Sequence, residues 1–169
     1  MRLFEDMRVG DVFELGDHTF TAASIRAFAG QFDPDPCHLD EEAGRRSPYG
    51  AMTASGWHVA VVWMRLMVDY RTREDAELRR RGEPTTDSSV SPGMRRMRWI
   101  RPVHAGDTIT YRSTIVALRP SASRPEWGLC EWRNAGFNQR GEEVLSFLST
   151  GFVRRQPQRL ASGTAAVIS

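Results

Sequence analysis

The chain has 169 residues, of which 40% are hydrophobic and 26% charged, a balance that makes its bulk globular rather than disordered and fits one domain. The net charge is only +2, and the basic side chains, all Arg, form no long stripe, so composition does not point to nucleic acid. No apolar run approaches the roughly 20 residues that cross a bilayer.

The opening residues, Met1 to Arg8, carry no apolar stretch of the signal-peptide kind, and a cytoplasmic location is the expectation. Cys37 and Cys130 are the two cysteines. They have neither a disulfide framework nor metal-ligand spacing, so they read as reduced thiols.

In chain order, Val12 to Thr19 mixes apolar and polar residues at short range and reads as a first strand. Thr21 is placed to cap a helix whose apolar face is Ile25, Phe28 and Ala29. Asp33-Pro34-Asp35-Pro36 ends it, because each proline turns the residue before it away from helical geometry. A second short helix is predicted over His38 to Ala43, with acidic residues in its first turn. Ala51 to Val68 is the longest apolar stretch. Trp57, Val61, Met64 and Val68 recur there at helical spacing, which predicts a long, central, buried helix. Tyr70 to Gly93 is polar and reads as a fraying helix end followed by a loop.

The period then changes. Met94 to Ile100, Thr108 to Leu118, Leu129 to Asn138 and Val144 to Arg154 are predicted strands. Asn138-Gln139-Arg140-Gly141 has the look of a hairpin connection. The outline is α+β, an antiparallel sheet packed on one long helix. The domain is placed at residues 1–155, with residues 156–169 expected to be a disordered tail.

The densest polar cluster is Phe32 to Asp40. Its prolines stiffen the backbone, so side chains on it lose little freedom when they meet a ligand. A carboxylate and an imidazole can share a proton-transfer task, the carboxylate taking a proton from water while the imidazole donates or shuttles another. Adding water across an activated double bond needs both steps. It also needs donors where negative charge collects, and backbone N–H groups at a helix start can serve. Ala54-Ser55-Gly56 is predicted in the first turn of the long helix, with Gly56 allowing close approach.

The segment Phe28 to Asp40 resembles the signature of MaoC-like dehydratases and (R)-specific enoyl-CoA hydratases: Gly-Asp, a variable residue, Asn-Pro, another variable residue and His. The resemblance continues, in family order, through Ser55-Gly56-Trp57-His58, Arg101-Pro102-Val103 with Gly106-Asp107-Thr108, Ser123-Arg124-Pro125 and Asn138 to Glu142. It implies a hot-dog fold, a sheet wrapped around a long helix, assembled at least as a dimer. It implies that Asp33 and His38 activate or position water and that the Gly56 N–H holds the thioester oxygen. Ser55, Asp35, Trp57 and Arg124 would line the substrate. Substrates would be trans-2-enoyl and 3-hydroxyacyl thioesters, usually of coenzyme A, with no metal or redox cofactor. The chain departs from the signature at Phe32, in place of Gly, at Asp35, in place of Asn, and at Ser55, in place of His. A second carboxylate beside Asp33 is expected to raise the pKa of one of them.

Plainer readings stand beside these. Asp33 and Asp35 are also good turn formers, and His38 can be a structural histidine. Asp33, Asp35, His38 and Asp40 have the donor types of a metal set, but no second ligand cluster accompanies them. Ser55 lacks the glycine two places earlier that a nucleophile elbow uses. His58 is read as packing, and His18 and His104 as strand and turn residues. Trp57, Trp63 and Met64 are read as core or dimer interface, with an acyl pocket as a further role for Trp63 and Met64. For Arg124 the plainer reading, a solvated loop residue, stands ahead of a contact to phosphate or an acyl headgroup. Two other functions share this fold: thioester hydrolysis, and acyl-thioester binding without turnover.

Overall fold

The structure, a computed structural model, describes residues 2–85 and 90–156. Its elements are a short 3-10 turn (Phe4–Asp6), β1 (Val12–Thr19), α1 (Ala22–Phe32), α2 (Pro36–Leu39), α3 (Glu41–Arg46), α4 (Gly56–Arg80), β2 (Gly93–Trp99), β3 (Thr108–Pro120), β4 (Trp127–Phe137) and β5 (Glu143–Arg154). The expected tail from residue 157 onward lies outside the described residues.

The strands form one antiparallel sheet in the order β1-β3-β4-β5-β2. Alternate residues of its long strands turn inward: Ile109, Tyr111, Ser113 and Ile115 on β3, and Leu145, Phe147, Ser149 and Val153 on β5. The β4–β5 connection is closed by Asn138, whose Oδ1 accepts from the N–H groups of Arg140 and Glu142 at 3.0 Å each. Gly141 supplies the positive φ, +76°, that this turn requires.

The inner face of the sheet holds α4. The Tyr111 hydroxyl donates to the Val59 carbonyl at 3.0 Å, and Trp63 meets Phe147 edge-on at 4.6 Å. Both limits of this helix differ from the sequence expectation. Residues 51–55 are not its first turn. They run extended against the segment before β3, with Ala54 N–H donating to the Val103 carbonyl at 2.8 Å and Ala105 N–H to that of Met52 at 3.0 Å. Strand-like pairing therefore buries Met52 and Ala54. At the other end, the helix passes Val68 and reaches Arg80. That polar stretch is held by spaced charge pairs such as Glu77–Arg81 at 2.7 Å.

The apolar stripe also lies on a different face. Trp57, Val61, Met64 and Val68 are exposed, whereas His58, Val59, Val62 and Trp63 face the sheet. A helix that is apolar on adjoining faces does not reveal by period alone which face meets the sheet. The single short helix expected over His38 to Ala43 is likewise two. Asp40 takes extended φ and ψ between α2 and α3 because its side chain caps α3, accepting from Ala43 N–H at 2.8 Å.

On the first turn of α4, His58 is stacked flat on Phe28 of α1 at 4.6 Å and meets Phe20 edge-on at 5.0 Å. Burial, assisted by His18 nearby, pushes its pKa down to about 4. His18 is lowered in the same direction, also by burial. Above the ordinary histidine pKa of 6.5 both folded and unfolded chains hold His58 neutral, so it adds no pH dependence there. As pH falls from 6.5 toward 4, the unfolded chain takes up a proton that the folded chain refuses, and stability is lost across that window. Thermal unfolding across this range should show a falling Tm, and His58→Phe should remove part of the fall.

Candidate active site

The site begins where α1 stops. Asp33 caps the end of α1 with φ −154°, and Pro34 cannot extend it. The Asp35 side chain then caps α2, accepting from Cys37 N–H at 3.0 Å, with Pro36 at the first helical position, where its missing N–H costs nothing. This loop is docked onto the extended 51–55 segment. Thr53 N–H donates to the Cys37 carbonyl at 3.3 Å, and the His38 ring lies with Nδ1 2.7 Å from the Thr53 carbonyl.

That last contact sets the tautomer. A carbonyl oxygen only accepts, so Nδ1 carries the hydrogen and Nε2 of a neutral His38 presents its lone pair. Nε2 lies 3.6 Å from Asp33 Oδ2, with the His38 side chain 12% exposed and that of Asp33 37% exposed. A neutral imidazole nitrogen and a carboxylate oxygen, both acceptors, thus converge where one water molecule can donate an O–H to each. The Ser55 hydroxyl donates to the same Asp33 oxygen at 2.6 Å, and its oxygen accepts from Trp57 N–H at 3.2 Å, capping α4.

These groups open on a cavity of about 470 Å³ lined by Asp33, His38, Ser55, Gly56, Trp57, Trp99 and Arg101, among others. Gly56 is the first residue of α4, and its N–H makes no hydrogen bond among the described residues. An N–H without a protein partner at a cavity wall is the kind of donor that can receive a developing negative charge. Five of the expected site residues, Asp33, His38, Ser55, Gly56 and Trp57, come together here.

Asp35 and Arg124 do not join them. Asp35 is exposed beside Cys37, and hydrogen bonds from the Cys37 thiol and N–H hold its carboxyl below the usual range. Asp35 is therefore not a carboxylate raised by its neighbour. Arg124 sits in the β3–β4 turn, its guanidinium 6.0 Å from the Phe152 ring centroid. Cys37 is buried, and burial together with Asp35 pushes its thiol up to about 11, so it is a poor nucleophile beside His38. Among the described residues, no three His, Cys, Asp or Glu side chains gather as metal ligands. Nor is any helix there long and apolar enough to cross a membrane.

Sequence reasoning did not find Thr53, whose contribution is a backbone carbonyl and leaves no mark on residue type. It also gave no site role to Trp99, or to Arg101, which it noted only as the start of the Arg-Pro-Val segment. A second, mostly apolar cavity of about 320 Å³ lies farther along α4, lined by Trp63, Met64, Met67 and Val68 against the sheet.

The family described as FAS1-like, dehydratase domain region, matches residues 7–147. An uncharacterized protein of Bacillus subtilis, YdeM, is 24% identical over 141 residues, covering 83% of this chain and 91% of that one. Mesaconyl-CoA hydratase of Cereibacter sphaeroides is 37% identical over 59 residues, which cover 35% of this chain and only 17% of that enzyme. The crystal structure of a MaoC-like dehydratase from Rhodospirillum rubrum is 37% identical, covers 93% of this chain and 99% of its own, and superposes with a TM-score of 0.78. The chain belongs to the FAS1-like dehydratase-region family, and its helix wrapped by an antiparallel sheet is the MaoC-like hot-dog fold.

Proposed function

We propose that the protein reversibly adds water to a trans-2-enoyl thioester, giving a 3-hydroxyacyl thioester. The observation that carries this reading is the 3.6 Å approach of Asp33 Oδ2 and His38 Nε2 at the wall that also presents the Gly56 N–H. In the forward direction Asp33 takes a proton from the water whose oxygen bonds to C3. The double-bond electrons move toward C2 and the thioester oxygen, where the Gly56 N–H receives the charge. The proton passes to His38 Nε2 and is delivered to C2, so one water is consumed and the pair is restored. Coenzyme A enters only as part of the substrate, and no metal or redox group takes part. The apolar cavity farther along α4 offers room for an acyl chain.

Purified protein should hydrate crotonyl-CoA without releasing free thiol. Asp33→Asn and His38→Gln should each lower kcat/KM by about 10²–10⁴-fold, the usual worth of a positioned acid or base. Thiol release instead would mark a hydrolase, and tight binding of the thioester without turnover would mark a non-catalytic subunit. Ser55→Ala removes the α4 cap and a hydrogen bond to Asp33, and should cost about 1 kcal/mol in urea unfolding.

The assembly we propose is a homodimer. Trp57, Val61, Met64 and Val68 form an apolar stripe 40–59% exposed, and β2 is an edge strand with an unpaired side. Light scattering should give the mass of two chains, and Val61→Glu should shift it toward one.

A further inference from the structure

We propose that Trp99 is a positioning residue that clamps the start of α4 and so aims the Gly56 N–H at the reacting thioester; this rests on the hydratase reading above. Glycine is the most permissive residue in backbone conformation, so a donor carried on it is not aimed by its own sterics. Here the peptide unit that follows Gly56 is held at both ends. Its oxygen, the Gly56 carbonyl, accepts from Trp99 Nε1 at 2.7 Å. Its nitrogen, the Trp57 N–H, donates to Ser55 Oγ at 3.2 Å. The preceding peptide unit, which carries the Gly56 N–H, is held through its own oxygen, the Ser55 carbonyl, which accepts from Val59 N–H at 3.2 Å. With the planes on both sides pinned, the φ and ψ of Gly56 are set, and with them the direction of its N–H.

The indole is itself anchored. Trp99 ends β2, paired with Leu145 of β5, and the next N–H, Ile100, donates to the Val144 carbonyl at 2.8 Å. Its ring meets that of Trp57 edge-on at 5.3 Å and lines the cavity. An indole N–H readily finds an acceptor, and Trp99 is 45% exposed, so the hydrogen bond alone says little. The packing says more. A Cβ placed on Gly56 would lie 2.6–2.8 Å from Nε1, Cε2 and Cδ1 of Trp99, closer than such atoms approach, so any larger residue at position 56 has to displace the indole. Gly56 is in helical conformation, where alanine is ordinarily the better residue. While the indole stays where its hydrogen bond holds it, position 56 has room only for glycine, and the clamp in turn steadies the glycine.

The test is a mutant cycle read by Tm and by crotonyl-CoA hydration. Gly56→Ala should lower Tm by about 3 °C or more in the natural background and raise it in Trp99→Ala, where the space is free. Trp99→Phe keeps a ring but loses the donor; kcat should fall about 10-fold while KM stays within about 2-fold, the pattern of a lost transition-state contact. Equal damage from Gly56→Ala in both backgrounds, or a natural kcat in Trp99→Phe, overturns the proposal while leaving hydratase activity standing. If Trp99→Ala does not fold, the kcat and KM of Trp99→Phe decide. A natural protein that hydrates no thioester overturns the hydratase reading first, and this proposal with it.

Discussion

One contact organises the candidate site of this protein: the His38 ring against the Thr53 carbonyl, at 2.7 Å. It joins two segments that are fifteen residues apart, the proline-braced loop and the extended approach to α4. Because the carbonyl only accepts, the contact also selects the protonated nitrogen, leaving Nε2 to face Asp33. Without it, the imidazole could turn, and the 3.6 Å approach to Asp33 would carry no chemical meaning. The register of the 51–55 segment is thus as much a part of the site as the side chains, since its pairing with Val103 and Ala105 puts the Thr53 carbonyl in place.

The same segment explains how several tasks fall on few residues. Ser55 caps α4, binds Asp33 and stands one residue before the candidate oxyanion donor. A hydroxyl can do this because it donates once and accepts on two lone pairs. The donated proton goes to the carboxylate and one lone pair to the helix. This couples the direction of Asp33 to the start of α4. A shift of that helix would move the carboxylate and the Gly56 N–H together, keeping their spacing.

Much of this was legible in the residues. β1 and the four later strands came from alternation and turn chemistry, and the Thr21 cap from its position before an apolar face. The meeting of Asp33 with His38 came from a stiff loop and a family resemblance. What sequence could not show has identifiable causes. Ala51 to Ser55 is apolar and reads as helix, yet its backbone is satisfied by Val103 and Ala105, some fifty residues away. The stripe at Trp57, Val61, Met64 and Val68 has helical spacing but points outward, because His58, Val59, Val62 and Trp63 carry a second apolar face. Arg124 was attached to the site by motif order alone, and the β3–β4 turn holds it elsewhere.

The three departures from the hydratase signature can be weighed by what each side chain touches. Asp35, in place of Asn, caps α2, and Asp and Asn are near-equal caps. Its carboxylate faces Cys37 and adds no second charge to the cavity wall. Phe32, in place of Gly, is 69% exposed and rests on Phe28 at 5.0 Å, on the outer side of α1. Only Ser55, in place of His, lies in the cavity, where it keeps a hydrogen bond to Asp33 and closes the helix start. Two of the changes are therefore absorbed by local backbone chemistry. The third replaces a titratable ring with a neutral hydroxyl, so among the described residues that line the cavity His38 is the one imidazole, and under the hydratase reading the proton exchange with Asp33 falls to it alone.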